Sequence, residues 1–316
     1  MTALRTAWPA RLSLRLPAVV DTRVRVAAWA SLVAEILLVA TGGAVRLTGS
    51  GLGCPTWPRC TAASFVTTPA MGVHGVIEFG NRLLTFVLVL IAVAALLAVF
   101  RLRRQRRDLF VLALAQVLSI PAQAVLGGIT VWTRLNPWVV GAHFVFSLLL
   151  VALMTVFVIR TGSEPGLRQR VVPPWFEAGS RAAAVLAGIT VLLGVLTTGS
   201  GPHAGDAHSA RNGLDPAVLQ TVHSVPAYVL ATLTLTLLVA AYRLGRMRRP
   251  MTALAAVELA QIVVGVTQAR TGLPPVLVDV HLLLAATLVA LGVWVGSASK
   301  QPAAAALPAE VAPASV

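Results

Sequence analysis

Gln123-Ala-Val-Leu-Gly127, with His143 twenty residues after its first residue, is written a second time in this chain as Gln261-Ile-Val-Val-Gly265 followed by His281. The offset is 138 residues, and Thr133, Leu135 and Pro137 recur at the same offset as Thr271, Leu273 and Pro275. Further upstream Thr48-Gly-Ser-Gly51 returns as Thr198-Gly-Ser-Gly201, and the run from Glu78 to Asn81 aligns with Gln220 to His223. A duplicated unit therefore carries its histidines inside apolar segments. An ionisable side chain within a membrane span is costly and marks a functional site, so the spans decide how these histidines are read.

Of the 316 residues 57% are hydrophobic and 11% charged, against roughly 25% charged in a soluble domain. That balance excludes an ordinary soluble globule. Windows of about 20 apolar residues place spans near 26–45, 80–100, 109–128, 137–159, 180–198, 218–241, 251–269 and 275–297. The expected fold is all-α: a polytopic membrane protein of eight transmembrane helices, arranged as two tandem four-helix bundles.

The net charge of +14 would point to nucleic acid in a soluble protein. Here 19 of the 25 basic residues fall before the first span, in alternate connections around Arg101 to Arg107, Arg160 to Arg181 and Arg243 to Arg249, and, as Lys300, after the last span. The positive-inside rule makes that side cytoplasmic; both termini are then cytoplasmic and no nucleic acid is implied. The first apolar segment is too long for a signal peptide and lacks a convincing cleavage site, so it is read as a retained helix. The organisation is a cytoplasmic segment 1–25, an N-terminal half 26–159, a cytoplasmic linker 160–179, a C-terminal half 180–297 and a disordered Ala/Pro-rich tail 298–316.

Four helices per half is an even number, so both copies enter the membrane with one orientation and are related by a pseudo-twofold along the membrane normal. Matching residues then share a depth. His143 lies six residues after Pro137 and His281 six after Pro275, about 9 Å into their helices at 1.5 Å per residue. His223 and its counterpart Asn81 begin from the same side. Two facing pairs near the outer leaflet follow: His223 with His281, and Asn81 with His143.

Two histidines from neighbouring helices make an axial pair for haem iron inside a bundle. Zinc fits less well, because no thiolate or third ligand lies at that depth. A lone buried histidine satisfied by a carbonyl is common, but that reading does not explain the duplication in register. In the first half an amide replaces one ligand, so a haem there keeps an open position suited to dioxygen chemistry, whereas the bis-histidine site suits electron transfer.

His74, Glu78 and Asn81 share one helix face. Glu78 is read either as a catalytic carboxylate at a haem edge or as one member of a self-neutralising pair with Arg82. Arg46 opens a Gly-rich loop, Arg46-Leu-Thr-Gly-Ser-Gly-Leu-Gly53, and is either a partner for haem propionates or an interfacial anchor. Cys54 and Cys60 lie in the first external loop, where a disulfide persists; it is a staple or a redox-active pair. His74 is read as a loop or proton-relay residue, and His203, Asp206 and His208 as a solvated loop. Glu35, Glu258 and Asp279 fall in or near spans without an assigned role.

Gly-Gly-Ala-Val-Arg46-Leu-Thr-Gly-Ser-Gly-Leu-Gly-Cys54-Pro-Thr-Trp-Pro-Arg-Cys60, Ile77-Glu78-Phe-Gly-Asn81-Arg82 and histidines 143, 223 and 281 together resemble the haem A synthase family, over roughly residues 26 to 297. The resemblance implies oxidation of a ring methyl of haem O to a formyl group, by successive hydroxylations and loss of water, giving haem A for terminal oxidases. It implies a haem B cofactor held by His223 and His281 and substrate haem in the N-terminal half, with His143, Asn81, Arg46 and Arg82 around it. Glu78 takes the place of the family's catalytic glutamate, and Cys54 and Cys60 that of its external cysteine pair. The chain departs from the family's Glu-x-x-His arrangement at Asn81, which leaves His143 as the substrate-haem ligand. Haem O, membrane lipid and an electron donor are the implied partners, with haem O synthase and terminal oxidase assembly proteins as neighbours; the long apolar faces permit oligomers. The implied location is the cell membrane, with the haem sites towards the outer leaflet.

Two other functions are compatible with intramembrane histidines: a bis-histidine membrane cytochrome b without a substrate, and a transporter. A duplicated electron relay would keep both histidine pairs, which Asn81 breaks. A transport site would lie at the midplane rather than near one leaflet.

Overall fold

The structure, a computed structural model, describes residues 16–166 and 168–302. The N-terminal segment up to residue 15 and the tail beyond residue 302 lie outside the described residues, so the reading of that tail as disordered is not addressed. Among the described residues eight helices are long and apolar enough to cross a membrane. They are α1 (Thr22–Leu47), α2 (Gly72–Val99), α3 (Arg107–Trp132), α4 (Pro137–Thr161), α5 (Pro174–Ser200), α6 (Pro216–Arg243), α7 (Arg248–Arg270) and α8 (Pro275–Ala298).

Local chemistry sets the helix starts. The Asp21 carboxylate accepts from the N–H groups of Arg23 and Val24 at 2.9 and 3.2 Å, and Asp215 does the same for Ala217 and Val218. These bonds satisfy donors that have no partner within the helix. Proline stands in the first turn of α4, α5, α6 and α8, where its missing N–H costs nothing. Large apolar side chains stay on the outside: Leu90 is 71% and Val276 74% exposed. In water such surface would be unfavourable, and in hydrocarbon it is the natural solvent face.

Two helices begin earlier than their hydropathy indicates. The second span was expected from residue 80, yet α2 starts at Gly72; the fifth was expected from 180, yet α5 starts at Pro174. Glu78 and Arg82 in one case and Glu177 and Arg181 in the other lower the hydropathy average. Each pair is an i,i+4 ion pair, a spacing that supports the helix.

Within the first half α1 packs on α2, α2 on α3, α3 on α4 and α4 on α1; within the second, α5, α6, α7 and α8 pack in the same cyclic order. The halves meet along α1, α4, α5 and α8. In such a ring α2 stands diagonally across from α4, and α6 from α8, which are the helices bearing the paired polar groups. The turns entering α4 and α8 match as well. Leu135 N–H donates to Thr130 O at 2.7 Å and Leu273 N–H to Gln268 O at 2.8 Å. Leu135 and Leu273 both have φ +59, the left-handed ending that lets a chain leave a helix and immediately start another.

The cores lie towards the end of the bundle at which α1 and α3 begin. Val24, Ala28, Leu109, Val151, Met154 and Phe157 are fully buried in the first half, and Phe176, Leu237, Met251 and Leu254 cluster in the second. On the same side β1 (Arg168–Arg170) pairs antiparallel with β2 (Lys300–Pro302). Glu177 gathers Arg170, Arg181 and Lys300 beside this ribbon. This ribbon is held where one buried carboxylate recruits cations from both of its strands.

Candidate functional site

His223 on α6 and His281 on α8 face each other across the second ring, with ring centroids 6.4 Å apart and planes at 74°. A metal ion taking one nitrogen from each ring, at roughly 2.0–2.1 Å per bond for imidazole ligands, would hold the centroids about 6 Å apart. His223 Nδ1 lies 2.9 Å from the carbonyl of Thr190 on α5. A carbonyl only accepts, so Nδ1 carries the proton and Nε2 keeps its lone pair for a ligand. The carbonyl of Gln261 on α7 faces His281 in the equivalent way, although its buried Nδ1 falls short of a hydrogen bond of normal geometry.

Each ring rests against a glycine. A Cβ built on Gly194 would stand 2.9 Å from His223 Cε1, and one on Gly265 3.0 Å from His281 Cε1. Only glycine lets these helices approach the imidazoles so closely. α8 touches α1, α4, α5 and α7, and Ala286 and Val295 are its buried residues. Paired imidazoles, a free Nε2 and a glycine-lined cradle fit a haem with two axial ligands. Among the described residues no group of three or more His, Cys, Asp or Glu converges as a zinc cage would require.

In the first half Asn81 and His143 stand on α2 and α4, the two helices diagonal to each other in that ring. His143 on α4 stands over Gly127 on α3, where an added Cβ would meet Cε1 at 3.5 Å. Asn81 on α2 has a buried Oδ1 with no protein partner, and so does His143 at Nδ1. Gln123 Nε2 donates to Ser147 Oγ at 2.7 Å, and that hydroxyl donates to the His143 carbonyl at 3.0 Å.

Above this half sits the loop between α1 and α2, closed by the Cys54–Cys60 disulfide. Glu78, 6% exposed, accepts from Cys54 N–H at 2.6 Å and from Arg82 Nη2 at 2.5 Å. Arg82 also donates to the carbonyls of Cys54, Thr56 and Arg59. The pair weighed from sequence as merely self-neutralising is thus the floor of the loop, and both carboxylate oxygens have partners. Trp57 packs edge-on against Trp132 at 5.4 Å, and its carbonyl accepts from Trp132 Nε1 at 3.2 Å. The loop is a lid over the Glu78 end of the ring.

Arg46 donates from Nε to the His203 carbonyl at 2.6 Å and from Nη2 to the Thr198 carbonyl at 2.9 Å. Both acceptors belong to the second half, so Arg46 ties the end of α1 to the end of α5 and the loop after it. Gly51 N–H donates to Gly205 O at 2.8 Å beside it. His203, expected in a solvated loop, donates from Nε2 to the Leu273 carbonyl at 2.9 Å. His74 binds Ser50 Oγ through Nδ1 at 2.9 Å and is exposed; it stands in the first turn of α2 rather than in a loop.

The sequence named His223 and His281, which the structure brings face to face, but it did not single out Thr190, Gly194 or the Cys54 N–H. The repeated Gly-to-His spacing on α3–α4 and α7–α8 was a signal for Gly265; nothing local marks Thr190 or Gly194.

The fold and site define a polytopic helical membrane protein with two imidazoles facing each other at one end of its bundle. The chain belongs to the cytochrome oxidase assembly protein family, COX15-CtaA, which matches residues 25–293. Among individual proteins it is 26% identical over 148 residues to the heme A synthase of Geobacillus thermodenitrificans, covering 46% of each chain. It is 30% identical over 149 residues to that of Geobacillus kaustophilus, again 46% of each. With the heme A synthase of Listeria monocytogenes it shares 27% over 153 residues, 48% of this chain and 49% of the other. The matches span about half the length of these curated relatives.

Proposed function

We propose that the chain is a haem A synthase, oxidising a ring methyl of haem O to a formyl group by two hydroxylations and loss of water from the resulting diol. The observation that carries this reading is the inequality of the two rings. One presents two imidazoles and the other an imidazole opposite an amide, which is a poor iron ligand. His223 and His281 hold haem B, which supplies single-electron transfer when bound. His143 binds the substrate haem, and Asn81 leaves the opposite side accessible. Glu78, fixed by Cys54 N–H and Arg82, holds negative charge at the substrate edge and accepts or returns a proton there. Arg46 and Arg82 spend their donors on loop carbonyls, which fixes the outer frame, while their charge favours the propionates of the substrate.

The halves 26–159 and 180–297 are related by a pseudo-twofold along the membrane normal, supported by the matching helix order and turns. Both termini lie in the cytoplasm and the haem sites face the outer leaflet of the cell membrane, in keeping with the arginine distribution. Haem O synthase and terminal oxidase assembly proteins are the expected neighbours. The test is the optical spectrum of purified variants: a bis-histidine haem spectrum that survives His143→Ala and disappears in both His223→Ala and His281→Ala supports the assignment. Loss in His143→Ala alone would reverse the roles of the two halves.

A further inference from the structure

The interior of the first half contains a second polar feature, deeper than the histidine site. Glu35 on α1 is 4% exposed, Gln116 on α3 and Ser31 on α1 are 0% exposed, and Gln116 is the side chain Glu35 interacts with. Glu35 Oε1, both amide atoms of Gln116 and Ser31 Oγ are all buried without a hydrogen bond of normal geometry. Such groups cost stability unless water or a proton satisfies them. Ser31 and Glu35 are one turn apart on one face, and α3 lies across the ring from α1.

The feature continues in one direction only. Gln116 and Gln123 are seven residues apart on α3 and share a face, about 10 Å along the axis; Ser119 lies between them. Gln123 Oε1 is again buried and unpartnered, and its amide reaches Ser147 and thence the His143 carbonyl. Towards the cytoplasm the way is closed by Leu102, Leu109, Ala113, Met154 and Phe157, none more than 2% exposed. The titratable groups on elements packed against α1 lie elsewhere. Glu78 and Arg82 pair with each other on α2, His143 is on α4, and Asp279 on α8 abuts Gly43, eight residues or about 12 Å along α1 from Glu35. Asp108 at the cytoplasmic start of α3 pairs with Arg106.

We propose that Glu35, with Gln116 and Ser31, is an internal proton site serving the His143 end of the first half through water held along the Gln116–Gln123–Ser147 stripe. A carboxyl with no cation facing it in hydrocarbon is neutral, and the polar pocket gives a water the several partners it needs. The step moves a proton and no electrons: the Glu35 O–H breaks, water in the stripe carries the proton outward, and the carboxylate is reprotonated from the outer aqueous side. Under the proposed function, which this inference deepens, dioxygen-dependent hydroxylation consumes protons at that end.

The experiment is infrared spectroscopy of the full-length protein moved from H2O to D2O, and it needs no turnover. A protonated-carboxyl band is expected in the wild type and absent in Glu35→Gln, and it should shift as the proton exchanges. Removing one link with Gln123→Leu should slow that exchange about tenfold, the rate equivalent of one lost hydrogen bond, and Gln123→Asn should restore much of it. If Gln123→Leu does not fold, Ser147→Ala tests the same link. A missing Glu35-dependent band, a band that does not exchange, or equal exchange in the wild type and the link variants would overturn the proposal. Normal exchange in a protein that forms no haem A would leave the proton site standing and remove the synthase reading instead.

Discussion

Alanine at Gly194 tests the second-half cradle with a single methyl group. That methyl would stand 2.9 Å from His223 Cε1 and 3.3 Å from Nδ1, closer than carbon atoms approach without displacement. The imidazole cannot simply retreat, because Nδ1 is tethered to the Thr190 carbonyl at 2.9 Å. Overpacking of this kind costs about 1–3 kcal/mol, and loss of the tether adds about 1 kcal/mol. If some 2 kcal/mol of this falls on the liganded state, haem binding weakens roughly thirtyfold. Three controls scale the effect. Gly265→Ala, at 3.0 Å from His281 Cε1, should behave similarly; Gly127→Ala, at 3.5 Å from His143 Cε1, should be nearly silent; and Gly188→Ala on the same helix as Gly194 meets nothing within 4 Å. Gly188→Ala should even stabilise, since glycine inside a helix costs about 0.5–1 kcal/mol relative to alanine. The assay is haem content per purified protein together with the thermal unfolding midpoint. Full haem retention in Gly194→Ala, or an equal loss in Gly188→Ala, would refute the close-approach argument.

Other substitutions separate the remaining parts. Glu78→Gln keeps the side-chain size but removes the charge that Arg82 and Cys54 N–H bind; haem content should hold while haem A formation stops, and retained formation would remove the catalytic role. Arg46→Ala deletes two charge-assisted bonds to the second half and should cost about 3 kcal/mol, read as a lower unfolding midpoint; an unchanged midpoint would show that the tie carries no stability. Replacing Cys54 and Cys60 by serine opens a short loop and should cost about 2 kcal/mol, with faster proteolysis of the loop as a second readout.

The spans were legible because a hydrocarbon solvent demands long apolar runs, and the paired histidines because duplication placed them at matching positions. The second span was placed too late because Glu78 and Arg82 depress hydropathy, although the i,i+4 pair they form supports the helix. Arg46 was weighed as a propionate partner or an anchor; its acceptors on Thr198 and His203 lie more than 150 residues away in sequence, beyond any local pattern. The Thr190 carbonyl that orients His223 could not be foreseen for a related reason: every residue has a carbonyl, and only packing selects one. Glu35 was visible as a charge in a span, but its partner Gln116 sits on a diagonal helix, a relation fixed by the order in which the helices pack.

The most direct measurement is chromatography of haems extracted from cells that make haem O but no haem A, expressing the wild-type chain or its His143→Ala and Glu78→Gln variants. Haem A or its hydroxylated precursor should appear with the wild type and with neither variant. Haem O left unchanged by a wild-type protein that carries bound haem B would contradict the synthase assignment and make the chain an electron carrier.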